Sequence, residues 1–175
     1  MLTAMAKAAA LPEPDEERNV LRWIWLSGVV IAIDQLTKYI ASTQLQFHVP
    51  VPVMPSFNWF LAHNTGAAFS FLSSAGGWQR WFFVALAVVI STVIVLWMKR
   101  LPSGRNREAI ALALILGGAI GNVIDRLWHG YVIDFIQWYY EAYYWPAFNI
   151  ADTAITLGAA LLILDAALGL KKANK

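Results

Sequence analysis

Apolar residues dominate four stretches of the chain, roughly 21–41, 81–98, 109–124 and 148–170, each near the about 20 residues a helix needs to cross a bilayer. Only the second is free of strongly polar residues, apart from Ser91 and Thr92. Asp34 and Lys38 interrupt the first, Asn122 stands near the end of the third, and Asn149 and Asp152 stand in the opening turns of the fourth. The connection between the first two stretches contains "FHVPVPVMPSFNWFLAHNTGAAFSF", with β-favouring runs, prolines and a Thr-Gly turn, and predicts a small sheet lying on the membrane within 42–80. The connection at 125–147 is short and aromatic, and is expected to form one or two helical turns or a flap. Residues 1–19 mix alanines, prolines and an acidic run and read as a disordered tail, leaving one four-helix domain over 20–172. The fold class expected is therefore an all-α membrane protein with a small β element outside the bilayer.

Composition agrees with that pattern. Of 175 residues, 59% are hydrophobic and 14% charged, which lies above and below the respective shares of a soluble domain. With no cysteine, disulfides, thiolate nucleophiles and thiolate metal sites are excluded. A cleavable leader is not expected, because the first apolar stretch begins late, follows acidic residues and lacks a small-residue cleavage site. The net charge is only +2, and its basic residues sit in short flanking clusters that suit topology and anionic lipid rather than nucleic acid. Arg18 and Arg22 flank the start of the first span, Lys99, Arg100, Arg105 and Arg107 fill the loop after the second, and Lys171, Lys172 and Lys175 follow the fourth. The positive-inside rule makes these regions cytoplasmic, so both termini face in, and 42–80 and 125–147 face out.

Depth then organises the polar residues. At 1.5 Å per residue Asp34 lies roughly 20 Å from the inner face, and Asn122, Asn149 and Asp152 reach a similar level from their own spans. Asp134 lies just beyond the third span. Ionisable groups within a bilayer are costly and face a bundle interior or a watery cavity. Asp165, near the inner end of the fourth span, lacks such company and is expected to pair with interfacial lysines. Two carboxylates in a partly buried site do not readily ionise together, which supplies an acid and a base for water attack on a peptide carbonyl. The histidines, His48, His63 and His129, are scattered through outer loops without a zinc-binding pair, and no metal or cofactor is expected. A serine–lysine mechanism would need a serine beside Lys38, which instead stands one turn from Asp34 and is expected to pair with it. The plainer reading of "GGAIG" is close helix packing. A small ion-coupled transporter is the alternative, but the inner halves of the spans show no polar path. A purely structural subunit would leave the gathered acids without a purpose.

In order and spacing, "DQLTK" (34–38), "NTGAAFS" (64–70), "GNVIDR" (121–126), "VIDF" (132–135) and "FNIADT" (148–153) resemble the signature blocks of lipoprotein signal peptidase, the bacterial signal peptidase II. The resemblance covers roughly 20–170. It implies four transmembrane helices, a small periplasmic β-cradle and a short interfacial helix in the inner membrane. It also implies an aspartic endopeptidase that cuts diacylglyceryl-modified prolipoproteins just before the lipidated lipobox cysteine, working as a monomer among membrane lipid. Carried over by residue, the catalytic dyad would be Asp134 and Asp152, with Asn64, Asn122, Arg126 and Asn149 binding substrate or ordering the site. Asp34, Lys38, Gly66 and Asp125 would give structural support. Asn64 also suits simple turn chemistry. Asp125 is the rival aspartate, and its neighbour Arg126 is expected to hold it ionised.

Overall fold

The computed structural model describes residues 22–66, 76–102 and 104–173. The expected tail at 1–19 lies outside them, as do residues 67–75 of the first connection. Four long helices are present among the described residues: α1 (Ile24–Gln44), α2 (Trp78–Arg100), α3 (Asn106–Trp128) and α4 (Ile150–Ala173). Each is long and apolar enough to cross a membrane. They run alternately up and down, so one end of the bundle carries the 101–105 loop and the other carries a sheet. The most apolar, α2, has a mean hydropathy of 2.5 and yet leaves Trp81, Val88, Val89 and Val93 more than half exposed, as suits a helix whose solvent is lipid.

The central helix is α3. Ala109, Ala111 and Ala113 are fully buried, and small residues along it let its neighbours come close. A Cβ on Gly117 would stand 2.8 Å from Val30 Cβ and 2.9 Å from the Ser27 carbonyl oxygen on α1. One on Gly118 would overlap the Ala151 carbonyl oxygen on α4. From α4 the same device is returned, since a Cβ on Gly158 would stand 2.6 Å from the Ala111 carbonyl oxygen. "GGAIG" is thus a packing seam. Ser27 Oγ adds a 2.7 Å hydrogen bond to the Ala113 carbonyl. Toward the 101–105 loop Ile94, Met98, Leu112, Ala113 and Leu116 form a continuous apolar fill. At the loop end Asp165 lies 3.9 Å from Arg105, which also holds Glu108 at 2.7 Å. Among the described side chains the ion-pair partner of Asp165 is therefore an arginine of the 101–105 loop; the lysines expected to pair with it lie outside them.

At the other end β1 (Val51–Met54), β2 (Phe57–Asn64), β3 (Val132–Tyr140) and β4 (Tyr143–Tyr144) form an antiparallel sheet in the order β1-β2-β3-β4. The sheet is not confined to 42–80: half of its strands come from the second connection, where a flap or helical turns were expected. The segment "VIDFIQWYY" is β-branched and aromatic almost throughout, and extended pairing with β2 satisfies a backbone that a short loop would leave unpaired. Opposite β2, the same strand exchanges hydrogen bonds with Phe148, immediately before α4 (Phe148 N to Ile136 O 3.0 Å, Ile136 N to Phe148 O 2.9 Å). β3 is thereby fixed against the head of α4.

Two alanine substitutions separate packing from helix propensity. Gly118→Ala forces α3 and α4 apart and is expected to destabilise the protein by about 1–3 kcal/mol. Gly28, with nothing within 4 Å of its would-be Cβ, should gain up to about 1 kcal/mol as alanine. Thermal unfolding in detergent checks both, and equal transitions for the two variants would contradict the seam.

Candidate active site

The site is assembled where α1, α3, α4 and β3 meet. At its centre is Lys38, on α1 and 1% exposed. Its ammonium lies 2.8 Å from Asp34 Oδ2 and 2.9 Å from Asp125 Oδ2, and donates to Asn122 Oδ1 at 3.0 Å. Asp34 thus pairs with Lys38 one helical turn on, as its spacing predicts. The partner of Asp125 is Lys38 rather than Arg126. Adjacent helical residues point about 100° apart, so Asp125 faces α1 while Arg126 turns toward the sheet loop. Gln35, which no motif argument singled out, closes this side by donating to Asp125 Oδ1 at 2.9 Å and to the Gly121 carbonyl at 3.2 Å. A Cβ on Gly121 would stand 2.7 Å from Asp34 Oδ2, so this glycine leaves room for the carboxylate.

Both supporting carboxylates also hold backbone. Asp34 Oδ1 accepts from Ala151 N at 2.9 Å, at the head of α4, and Asp125 Oδ2 accepts from Ile133 N at 3.0 Å, on β3. The two elements that carry Asp152 and Asp134 are therefore tied to one buried cation. Locally, Asn149 and Asp152 form a capping box: Asn149 Oδ1 accepts from Asp152 N at 2.9 Å and Asp152 Oδ2 accepts from Asn149 N at 3.3 Å. The N-x-x-D spacing of "NIAD" carried that signal in the sequence, and α4 accordingly begins at Ile150.

Asp134 stands on β3 opposite Ala62 and is 2% exposed. Asn149 Nδ2 donates to its Oδ1 at 2.7 Å and Asn64 Nδ2 to its Oδ2 at 3.1 Å. Burial, then the nearby Asp152 carboxylate, push Asp134 up to about 7. Asp152 Oδ1 accepts from Asn122 Nδ2 at 2.8 Å, and Asn122 Oδ1 accepts from Asn149 at 3.3 Å. The two carboxyl groups are thus joined through the amides of Asn122 and Asn149. Asn64 does two jobs, since its Oδ1 also accepts from Gly66 N at 3.0 Å in an Asx turn. Arg126 donates to the Gly66 carbonyl at 2.9 Å and lies 5.1 Å over the Phe83 ring. The site residues that the resemblance implies, Asn64, Gly66, Asn122, Asp125, Arg126, Asp134, Asn149, Asp152, Asp34 and Lys38, therefore join one connected network.

A cleft of about 560 Å³ opens beside this network, lined on its polar side by Asn64, Asn122, Arg126 and Asp152 and on its apolar side by Trp145, Phe148, Ile155 and Leu157. Such a space suits a chain that is part peptide and part hydrocarbon. The histidines are not scattered as expected. Pairing of the 47–48 segment with Leu61 stacks Phe60, His48, Phe47, His63, Tyr131 and His129 in a ladder, with successive centroids 5.7, 3.9, 4.5, 3.9 and 5.7 Å apart. Partial burial, then His48 and His129, hold His63 below its ordinary value.

The profile of signal peptidase (SPase) II matches residues 26–168. A lipoprotein signal peptidase of Acinetobacter baumannii is 57% identical over 145 residues, covering 83% of this chain and 82% of the relative. One from Alteromonas mediterranea is 54% identical over 145 residues, covering 83% and 80%. A solved structure described as a bacterial membrane enzyme, obtained by the in meso method, superposes with a TM-score of 0.77 at 33% identity over 88% of this chain and 91% of that one. With a profile that runs from the first span into the fourth and relatives matched along most of their length, the chain belongs to the signal peptidase II family of aspartic membrane peptidases.

Proposed function

We propose that Asp134 and Asp152 are the catalytic pair of this membrane peptidase, and that it cuts diacylglyceryl-modified prolipoproteins just before the lipidated lipobox cysteine. The observation that carries the assignment is the junction of the two carboxyl groups through Asn122 and Asn149, with Asp152 facing a cleft that is polar on one wall and apolar on the other. The ionised carboxylate removes a proton from a water molecule as the water oxygen attacks the scissile carbonyl carbon. The protonated partner donates to the carbonyl oxygen, giving a tetrahedral diol. Its collapse breaks the C–N bond, with a proton passed to the leaving amine, and yields a signal peptide carboxylate and a lipoprotein with a free cysteine amine. Asn64, Asn122, Asn149 and Arg126 order the pair and the substrate backbone, while Asp34, Lys38, Gly66 and Asp125 hold the frame. The enzyme works as a monomer, as a single domain over 20–172, without nucleic acid. The ion-coupled alternative gains no support, because the apolar fill around Met98 and Leu112 separates the acidic end from the Arg105–Asp165 end.

The orientation proposed places the 101–105 loop and both termini in the cytoplasm and the sheet with its acids at the periplasmic side, following the charge bias of the loops. In this cysteine-free chain, Tyr143→Cys should react with an impermeant thiol reagent in intact spheroplasts and Arg107→Cys should not. Reaction of Arg107→Cys alone would invert the topology.

Asp134→Asn and Asp152→Asn are each expected to lower kcat by about 10³-fold or more while leaving a folded protein, and the double variant should be hardly worse than either, since paired groups act as a unit. Asp125→Asn is the control; a dead Asp125→Asn beside an active Asp134→Asn would move the dyad. The pKa of Asp134 stands above its ordinary 3.8, so the folded enzyme holds this proton up to about pH 7 and loses it above. Activity should therefore fall as pH rises through that value, on a profile whose apparent constants belong to the pair.

Lipid on the substrate is expected to matter as much as sequence. Burial of only about four acyl methylenes, at about 0.8 kcal/mol each, gives roughly two-hundredfold in kcat/KM. Comparison of a diacylglyceryl lipobox peptide with its unlipidated form tests this, and equal rates would remove the lipid from the specificity.

A further inference from the structure

We propose that Lys38 is a positioning residue for the reaction: through Asn122 it fixes Asp152 as the carboxylate that accepts, which leaves Asp134 as the acid. The proposal rests on the assignment of Asp134 and Asp152 as the catalytic pair. It arises from a one-way chain of donors. An ammonium has three N–H donors and no acceptor, so the atom of Asn122 that meets Lys38 Nζ at 3.0 Å must be the carbonyl oxygen. Asn149 Nδ2 meets the same oxygen at 3.3 Å and reinforces the choice. The opposite end of the Asn122 side chain is then always an NH₂, and it points at Asp152 Oδ1 from 2.8 Å. A reversed amide would set NH₂ against a buried ammonium, a donor against a donor, where no water replaces the lost bond.

What reaches Asp152 is therefore a hydrogen bond whose direction a buried positive charge guarantees. A donor that cannot turn round favours the ionised acceptor. A further feature acts the same way: Asp152 is the carboxylate of the capping box, receiving Asn149 N at the positive end of α4, whereas Asp134, which takes Asn149 and Asn64 as donors, lies at no helix terminus. Lys38 itself does not reach the reacting atoms: the amide of Asn122 stands between it and Asp152. In direct contact with it are the carboxylates Asp34 and Asp125, which neutralise it without turning the amide, and beyond Asn122 the Asp152 and Asp134 carboxyl groups also lie within its field.

The test separates this role from mere support of the fold. Lys38→Met alone strands two buried carboxylates, so Lys38→Met/Asp125→Asn is compared with Asp125→Asn in full-length protein in detergent, using a diacylglyceryl lipobox peptide. With the ammonium gone, the acid limb of the kcat/KM profile should move up by about one pH unit and kcat at neutral pH should fall about tenfold, with KM little changed. Asp125→Asn, which keeps the ammonium, should leave the acid limb at or below its wild-type position. If the double variant folds and its acid limb does not move relative to Asp125→Asn, the proposal is wrong. Should the double variant fail to fold, Asn122→Leu breaks the same chain while Lys38 keeps both carboxylates; an upward acid limb supports the relay and an unmoved one overturns it. Failure of the underlying assignment looks different: Asp152→Asn would then turn over substrate, whereas loss of the relay leaves turnover that recovers toward higher pH.

Discussion

The ammonium of Lys38, held between Asp34 and Asp125 inside the bundle, is the interaction on which the rest of the site depends. Each carboxylate that holds it reaches onward to a backbone N–H, Asp34 to Ala151 at the head of α4 and Asp125 to Ile133 on β3. One cation thus sets the distance between the helix that carries Asp152 and the strand that carries Asp134. Three buried charges are a doubtful source of net stability, because desolvation of each ion opposes the attraction between them. Their value here lies in direction. Apolar residues of equal volume could pack the same space, but none would aim two backbone amides and one side-chain amide. Removal of a single partner, by contrast, leaves an uncompensated buried charge and costs about 3–5 kcal/mol.

The seam of small residues makes that arrangement reachable. Lys38 and Asp125 come from different helices, and a fixed-length side chain closes their gap only if α1 and α3 approach closely. Gly117 and Ser27 allow that approach, Gly121 leaves the volume that Asp34 occupies, and Gly118 brings α4 in from the other side. Within lipid there is no hydrophobic drive to press helices together, so close backbone contact and interhelical hydrogen bonds take its place. The polar cluster and the glycines are therefore one feature: the first gives the helices something specific to meet, and the second lets them reach it.

Much of this was legible in the sequence because membrane chains obey few rules strictly. Span lengths, the flanking charges and the common depth of Asp34, Asn122 and Asp152 follow from bilayer thickness and helical rise alone. The pairing of Asp34 with Lys38 follows from helical periodicity. What escaped notice depended on contacts between distant segments. β2 and β3 pair across the whole α2–α3 hairpin, so no local turn announces the strand, and the aromatics of "VIDFIQWYY" suited membrane anchors as well as a sheet. Asp125 drew attention to Arg126 by adjacency, although neighbours on a helix face apart and its true partner lies on another helix. Gln35 was invisible for the same reason, since its acceptors stand on α3. The N-x-x-D capping box is the instructive case: its signal was local and complete, yet a span boundary drawn by hydropathy alone placed Asn149 inside the helix that it caps.

A hydrolase in a bilayer must hold water and ions at one depth without opening a path across, and the distribution of polarity along α3 meets both demands. Toward the sheet end its Asn122, Asp125 and Arg126 face three different neighbours, Asp152, Lys38 and Gly66, because successive residues fan out around the helix. Below them come Gly117, Leu116, Ala113 and Leu112, with no side chain able to relay a proton, and then Glu108 paired with Arg105 at the far end. At the polar end β3 satisfies its backbone against both β2 and Phe148 and so leaves little unpaired amide to draw water inward. The apolar wall of the cleft, from Ile155 and Leu157 on α4, lies on the side where lipid would be. The same helix that supplies the amide next to Asp152 therefore supplies the plug beneath it, and a chain of this size needs no separate element to keep hydrolysis and membrane integrity apart.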